Sequence, residues 1–365
     1  MNRTPLPRPT LVPGLARVWR TATHLQLGLG PPHAIVLELA DPRTALVLDL
    51  LDGRLSERLV LLRAAEQGVP VDDALTLLGT LQAAGLVIPA GSLMPAALPD
   101  RARQLLLCEA AAMALETAGP AQRAPAGPSP ARVLRRRRAS RVVISGRGRL
   151  GATIAVALAE AGVGHVHPDL SGAVGPSEIT GGPLLATDAG SPRRTAVTAA
   201  ILRASPVTET RTVRRPPTLV VQLAHDEPTA LIAAGHAARR QPHLAVGIRD
   251  GTAVVGPFVP VTGEPCLRCL DLHRLDRDPG RPGGCAADTA EPCTVTTLLA
   301  ATAYAVAEAL AFLDGGIPGT TGSSVEISAP GRIRRRTWPP HPDCPCGRNR
   351  ATFTRPSPHK HQTTS

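Results

Sequence analysis

The stretch Arg141-Val142-Val143-Ile144-Ser145-Gly146-Arg147-Gly148-Arg149-Leu150-Gly151, followed by the largely apolar run Ala152–Ala161, decides the fold. Arg141–Ser145 reads as a short strand, and Ala152–Ala161 as a helix. Gly146, Gly148 and Gly151 sit at the junction, where a tight turn brings backbone amides to an anion at the positive end of the helix. Asp169 follows about 20 residues on, near the end of the next strand, Gly164–His167, where a carboxylate accepts ribose hydroxyls.

Outward from this loop, strand and helix patterns alternate. Thr195–Ala204 and Thr229–Arg240 read as helices; Thr218–Leu223, ending near Asp226, and Leu244–Ile248 read as strands. The alternation predicts a Rossmann-like α/β domain with a mainly parallel sheet and crossover helices. Val254–Val261 is a further strand, and Ser324–Ile327 with Arg332–Thr337 forms a terminal pair. The apolar run Val295–Leu313 is long enough for a membrane span. It carries Thr296, Thr297, Thr302 and Glu308 and stops at Asp314-Gly315-Gly316, so it reads as a helix buried against the sheet.

Two short cysteine motifs lie downstream. Cys266-Leu267-Arg268-Cys269 stands at a loop-to-helix junction, and Cys344-Pro345-Cys346 in a turn-rich knuckle. Four thiolates in two close pairs suit a closed, tetrahedral structural zinc site. His273 and His341 flank the pairs and read as supporting or turn residues. Cys285 and Cys293 fall in the irregular segment before the apolar helix. They are the candidate catalytic thiols, with a non-functional or weakly metal-linked thiol as the competing reading. Cys108 reads as a core thiol.

The first 12 residues read as a disordered proline-rich arm. Residues 13–92 read as a small winged-helix-like α+β domain. In it His33–Leu39 is a strand, Thr44–Leu51 a helix, and Ser56 the cap of a helix with Leu59, Leu62 and Ala65 on one face. A third helix starts at Asp72 or Asp73 with Leu75, Leu78 and Leu81 aligned, and Leu86–Ile88 is a strand. Residues 93–138 read as a helix plus linker, 139–348 as the Rossmann-like domain, and 349–365 as a disordered tail.

Composition narrows the class. Aromatic residues make up 2% of the 365 residues, so Leu, Val and Ala must build the core. The formal charge is +11, yet Lys360 is the sole lysine. An arginine-only excess reads as codon bias as much as a partner's demand, although Arg135–Arg138 forms a local positive patch. Nucleic acid is accordingly a disfavoured partner and a membrane is not expected. Met1–Arg20 lacks an uninterrupted apolar core, and seven cysteines point to metal rather than disulfides; both fit a reducing cytoplasm.

The residues quoted for the glycine loop, with Asp169, Asp226, Val255-Gly256-Pro257-Phe258-Val259-Pro260 and the cysteine pairs, resemble the ThiF family, the bacterial branch of the ubiquitin-activating superfamily. The resemblance covers about residues 139–348. It is especially close to the ThiF-like partners of azoline-forming cyclodehydratases, on Cys266-Leu267-Arg268-Cys269-Leu270-Asp271-Leu272-His273-Arg274 and on His341-Pro342-Asp343-Cys344-Pro345-Cys346. In that group the N-terminal region resembles a precursor-peptide recognition element, whose opening is similar to Arg17–Arg20 through Gln26–Gly28. The resemblance implies a glycine loop that holds ATP, Asp169 on the ribose, Asp226 helping to place Mg2+, zinc on the four cysteines, and dimers as a common assembly.

Three departures qualify it. No lysine lies in residues 139–348, Pro176–Gly182 replaces the family's Asn-x-x-Arg, and Arg149 stands where a second paired glycine is usual. Arg193 or Arg194 is the candidate substitute for the missing charge, though Arg and Lys are not equivalent. The expectation is a ThiF-like protein with a degenerate adenylation site that binds a precursor peptide and serves an ATP-dependent cyclodehydratase. The alternatives are an active ATP-dependent adenylyltransferase acting on a carrier-protein or peptide C-terminal carboxylate, and a winged-helix DNA-binding regulator.

Overall fold

In the computed structural model, residues 4–31, 33–116, 127–212, 214–225, 227–261, 265–280 and 291–346 are described. Asp226 and Cys285 lie outside these segments. The chain divides into two compact units, Met1–Arg138 and Ala139–Ser365.

Unit 1 begins with β1 (Pro9–Leu11), β2 (Arg17–Trp19), β3 (His24–Leu27) and β4 (Ile35–Glu38). A 3-10 helix, Pro42–Leu50, precedes α1 (Glu57–Glu66) and α2 (Val71–Ala83). Then follow β5 (Val87–Pro89), α3 (Ala90–Leu93), α4 (Asp100–Glu116) and α5 (Pro130–Ala139). β2, β3 and β4 form an antiparallel sheet. Alternation along β3 and β4 turns Leu25, Leu27 and Leu37 inward, where they join Val47, Val60, Leu77, Leu78 and Leu81 in the core. Ser56 caps α1, its hydroxyl accepting from the Leu59 N–H.

Four expectations for this unit change. The supposed disordered arm holds β1, paired antiparallel with β5 from Pro9↔Pro89 to Leu11↔Val87. Pro9 opens the strand, where a missing N–H does little harm, and Leu6 and Leu11 are buried. The buried stripe of α1 is Val60 and Ala64, not Leu59 and Leu62, which are 44% and 53% exposed. All these residues fit a helical period. Only the position of the 3-10 helix and of α2 selects the face. The arginine patch is also reduced: Arg137 of α5 is buried and pairs with Glu109 at 2.6 Å. Cys108, expected in the core, is exposed on α4.

Unit 2 runs β6 (Arg141–Gly146), α6 (Leu150–Glu160), β7 (His165–Leu170), α7 (Pro176–Ile179), α8 (Arg193–Ala204), β8 (Leu219–Gln222), α9 (Thr229–Ala238) and β9 (His243–Arg249). It continues with β10 (Thr252–Val259), α10 (Leu267–Arg277), α11 (Val295–Leu313), β11 (Ser323–Ala329) and β12 (Arg332–Thr337). These strands make one sheet of seven, ordered β12-β11-β10-β9-β8-β6-β7. β7, β6, β8 and β9 are mutually parallel, and β10, β11 and β12 extend the sheet antiparallel. The Asp250-Gly251 pair, both at positive φ, makes the tight β9–β10 hairpin turn.

Strand order reverses at β6, with β7 on one side and β8 on the other. In open α/β sheets that crevice at the carboxyl ends of the strands is where ligands bind. α11 covers the sheet with a stripe of Leu298, Ala301, Ala305, Ala309 and Leu313, and packs against α6, β10 and β11. This apolar helix is therefore part of the core of unit 2.

These burial assignments predict opposite outcomes for two similar truncations. Leu78→Ala should destabilise unit 1 by about 2–5 kcal/mol in urea unfolding followed by circular dichroism. Leu62→Ala should change stability by no more than about 0.5 kcal/mol.

Candidate functional site

The turn between β6 and α6 passes close to the end of β8. Arg147 N–H donates to the Ala224 carbonyl at 2.9 Å. Gly146 has φ +112°, and a Cβ there would collide with that same carbonyl. A Cβ on Gly151 would lie 3.0 Å from Leu223 Cδ1. Glycine at these two positions thus lets the turn and the start of α6 pass close to Leu223 and Ala224, just after β8.

Gly148, at φ +122°, serves a different purpose. A Cβ there would lie 2.6 Å from Oε2 of Glu291. The Glu291 carboxylate accepts from the Arg149 N–H at 2.8 Å, at the start of α6. The Arg149 guanidinium donates to the carbonyls of Glu291 (3.3 Å) and Cys293 (2.8 Å). Burial raises the Glu291 carboxyl above its ordinary value, against the lowering effect of the Arg149 amide. By sequence Glu291 falls in the irregular segment before the apolar helix, where no local pattern marks it as a site residue.

Asp169, at the carboxyl end of β7, is exposed and in register with Ser145, the residue before the glycine turn. The parallel pairing therefore puts the acid beside the loop. Gln222, buried at the end of β8, flanks Ser145 on the other side. The two arginines proposed as substitute phosphate ligands are both engaged. Arg193 makes a two-pronged ion pair with Glu178, from Nε to Oε2 at 2.9 Å and from Nη2 to Oε1 at 2.7 Å. It also donates to the Ser171 and Ala173 carbonyls. Arg194 donates to His167 Nε2 at 2.9 Å and to Thr212.

The four motif cysteines converge. Sulfur separations are 3.9 Å for Cys266–Cys269, 3.6 Å for Cys266–Cys344 and 3.2 Å for Cys269–Cys346. A tetrahedron of Zn–S bonds has edges of about 3.8 Å. Donor type, number and spacing therefore fit one metal ion, and all four sulfurs lie within 4.8 Å of one another. Hydrogen bonding with Cys266 holds the Cys269 thiol down to about 4, while burial pushes Cys346 up to about 12. One thiolate forms readily among crowded neighbours; further ones need a cation at the centre.

The histidines beside the site clasp it. His341 Nε2 donates to Asp276 at 2.8 Å, and its Nδ1 accepts from the Asp343 N–H at 3.1 Å. His273 Nε2 donates to the Pro339 carbonyl at 2.9 Å. These bonds tie α10 to the C-terminal knuckle. They also occupy both nitrogens of His341, so His273, Asp276 and His341 staple the two segments together.

The two candidate thiols fare differently. Cys285 lies outside the described residues. Cys293 stands beside the glycine loop, but burial raises its thiol above the ordinary value, which disfavours the nucleophilic thiolate.

No protein-family model matches the chain, and neither does any curated protein. Solved structures do match. Escherichia coli MccB with ATP aligns at TM-score 0.59 and 16% identity, over 93% of this chain and 99% of that one. The Microcin C7 biosynthetic enzyme MccB in complex with N-formylated MccA aligns equally well, with the same identity and coverage. PaaA aligns at TM-score 0.57 and 17% identity, over 89% of this chain and 98% of that one. At such identity the likeness supports a ThiF-like fold and nothing finer.

The thiol cluster predicts one tightly held metal ion per chain, measurable by elemental analysis. Cys344→Ser should reduce metal content by more than tenfold and lower the melting temperature, and Cys108→Ser, at an exposed site, should leave both unchanged. Metal should be released as pH falls, because protons compete for the thiolates.

Proposed function

We propose that this protein modifies a ribosomally made peptide, capturing the precursor through unit 1 and activating a carboxylate with ATP at the glycine turn of unit 2. The observation that carries the reading is the glycine turn at the switch point of the sheet, with Asp169 held beside it by strand register. In this reading the Arg149 N–H at the start of α6 faces phosphate, Asp169 takes the ribose hydroxyls, and ATP supplies the adenylyl group. Asp226 is the acid assigned to Mg2+. The four thiolates hold a structural zinc that keeps α10 against the C-terminal knuckle.

Residues 13–92 act as a winged-helix-like peptide-recognition domain. β2 supports this role: it is an edge strand, exposed along its length, that an extended peptide can join. The likeness to MccB structures containing ATP or MccA also supports the pairing of peptide and nucleotide. The reading places the protein in the cytoplasm, where free thiols persist.

A second reading has a specific observation in its favour. Arg193 is committed to Glu178, and no lysine lies in residues 139–348 to neutralise a triphosphate. On that reading unit 2 is a degenerate scaffold, and an ATP-dependent cyclodehydratase partner does the phosphoryl chemistry.

ATP–pyrophosphate exchange separates the two, run with precursor peptides encoded beside this gene. Peptide-dependent exchange supports activation by this chain, with Asp169→Ala weakening ATP about tenfold, or ~1.4 kcal/mol. Tight peptide binding without exchange, together with a stable complex with the cyclodehydratase, supports the scaffold.

A further inference from the structure

The glycine turn is already occupied by an anion from the same chain. The Glu291 carboxylate accepts from the Arg149 N–H at the start of α6, and the side-chain-free surface of Gly148 makes room for it. This is the position and the charge that a nucleotide phosphate requires, because an exposed N–H at a helix start attracts one anion and two anions there repel each other. The seat is built rather than incidental. Arg149 is 8% exposed and grips the backbone on both sides of Pro292, through the carbonyls of Glu291 and Cys293. Thr294 then caps α11, accepting from the Thr297 N–H at 3.3 Å, so the residues after Glu291 are fixed to a core helix. Arg147 and Arg149 offer positive charge to the carboxylate, while the neighbouring Glu178 repels it. Glu178 is in turn neutralised by Arg193, which lowers the cost of gathering two acids at one turn.

We infer that Glu291 is an autoinhibitory plug: its carboxylate holds the phosphate seat, and nucleotide binding requires it to leave. The inference rests on the proposed nucleotide site and adds its regulation. The resting protein then binds nucleotide weakly, and any event that draws Glu291 away opens the seat. No covalent step is involved; one anion replaces another on the same amide.

The test is calorimetry with MgATP, and separately with inorganic pyrophosphate, on the full-length protein, Glu291→Gln and Glu291→Ala. Glu291→Gln keeps the shape and removes the charge, so it remains informative if Glu291→Ala folds poorly. Both variants should bind MgATP at least tenfold more tightly than the parent chain. In the parent chain, MgATP should increase hydrogen-exchange protection of residues 146–151 while decreasing it at 291–294. Binding by the parent chain that is unchanged or weakened in both variants overturns the plug and leaves the nucleotide site standing. Protection rising together in both segments also overturns it, since Glu291 then stays beside the nucleotide. Absence of MgATP and pyrophosphate binding in all three proteins overturns the nucleotide site, and the plug with it.

Discussion

The close passage of the β6–α6 turn over the end of β8 is the constraint on which unit 2 depends. The backbone at Gly146 approaches the Ala224 carbonyl, and that of Gly151 approaches Leu223, too closely for ordinary side chains. This contact sets α6 against the sheet. It places the Arg149 N–H at the start of α6, where the Glu291 carboxylate meets it. α11 then packs on α6, joined to it by the buried Thr153–Thr302 hydroxyl pair at 2.8 Å. The segment leading into α11 is thereby placed across the glycine turn, and Glu291 lies in that segment. Tight backbone packing and the filled anion seat are two results of one geometry.

The cysteine cluster solves a separate problem. β10 leads towards α10, and the C-terminal knuckle follows β12 at the sheet's outer edge. Val259 and Leu272 pack against the cysteines, and Trp338 lies against His273 of α10. Four sulfurs and the His341–Asp276 and His273–Pro339 bonds supplement these contacts. In a chain with so few aromatic side chains, polar and metal-type clasps are an economical way to fix loops far apart in sequence.

Several elements were legible because their signals are local. The glycine spacing, the Ser56 cap and the two cysteine pairs each report a backbone or ligand requirement within a few residues. The Asp250-Gly251 hairpin carried an equally local signal that the reading passed over. Misreadings occurred where a long-range partner decides. In α1, Val60 and Ala64 compete with Leu59 and Leu62 for the inward face, and the 3-10 helix and α2 settle it. Pro9–Leu11 resembles a proline-rich arm until β5 supplies a strand to pair with. Arg193 reads as a phosphate ligand until Glu178 is seen to hold it.

The sequence by itself determined the α/β alternation, the glycine turn and the presence of four paired thiols, because propensity, φ requirements and ligand spacing are properties of short segments. The tertiary structure alone decided that the four sulfurs meet, that Asp169 stands beside the turn, and that Glu291 fills the anion seat. Each of these depends on two segments brought together by packing and strand register, and their mutual distance is set by the whole fold.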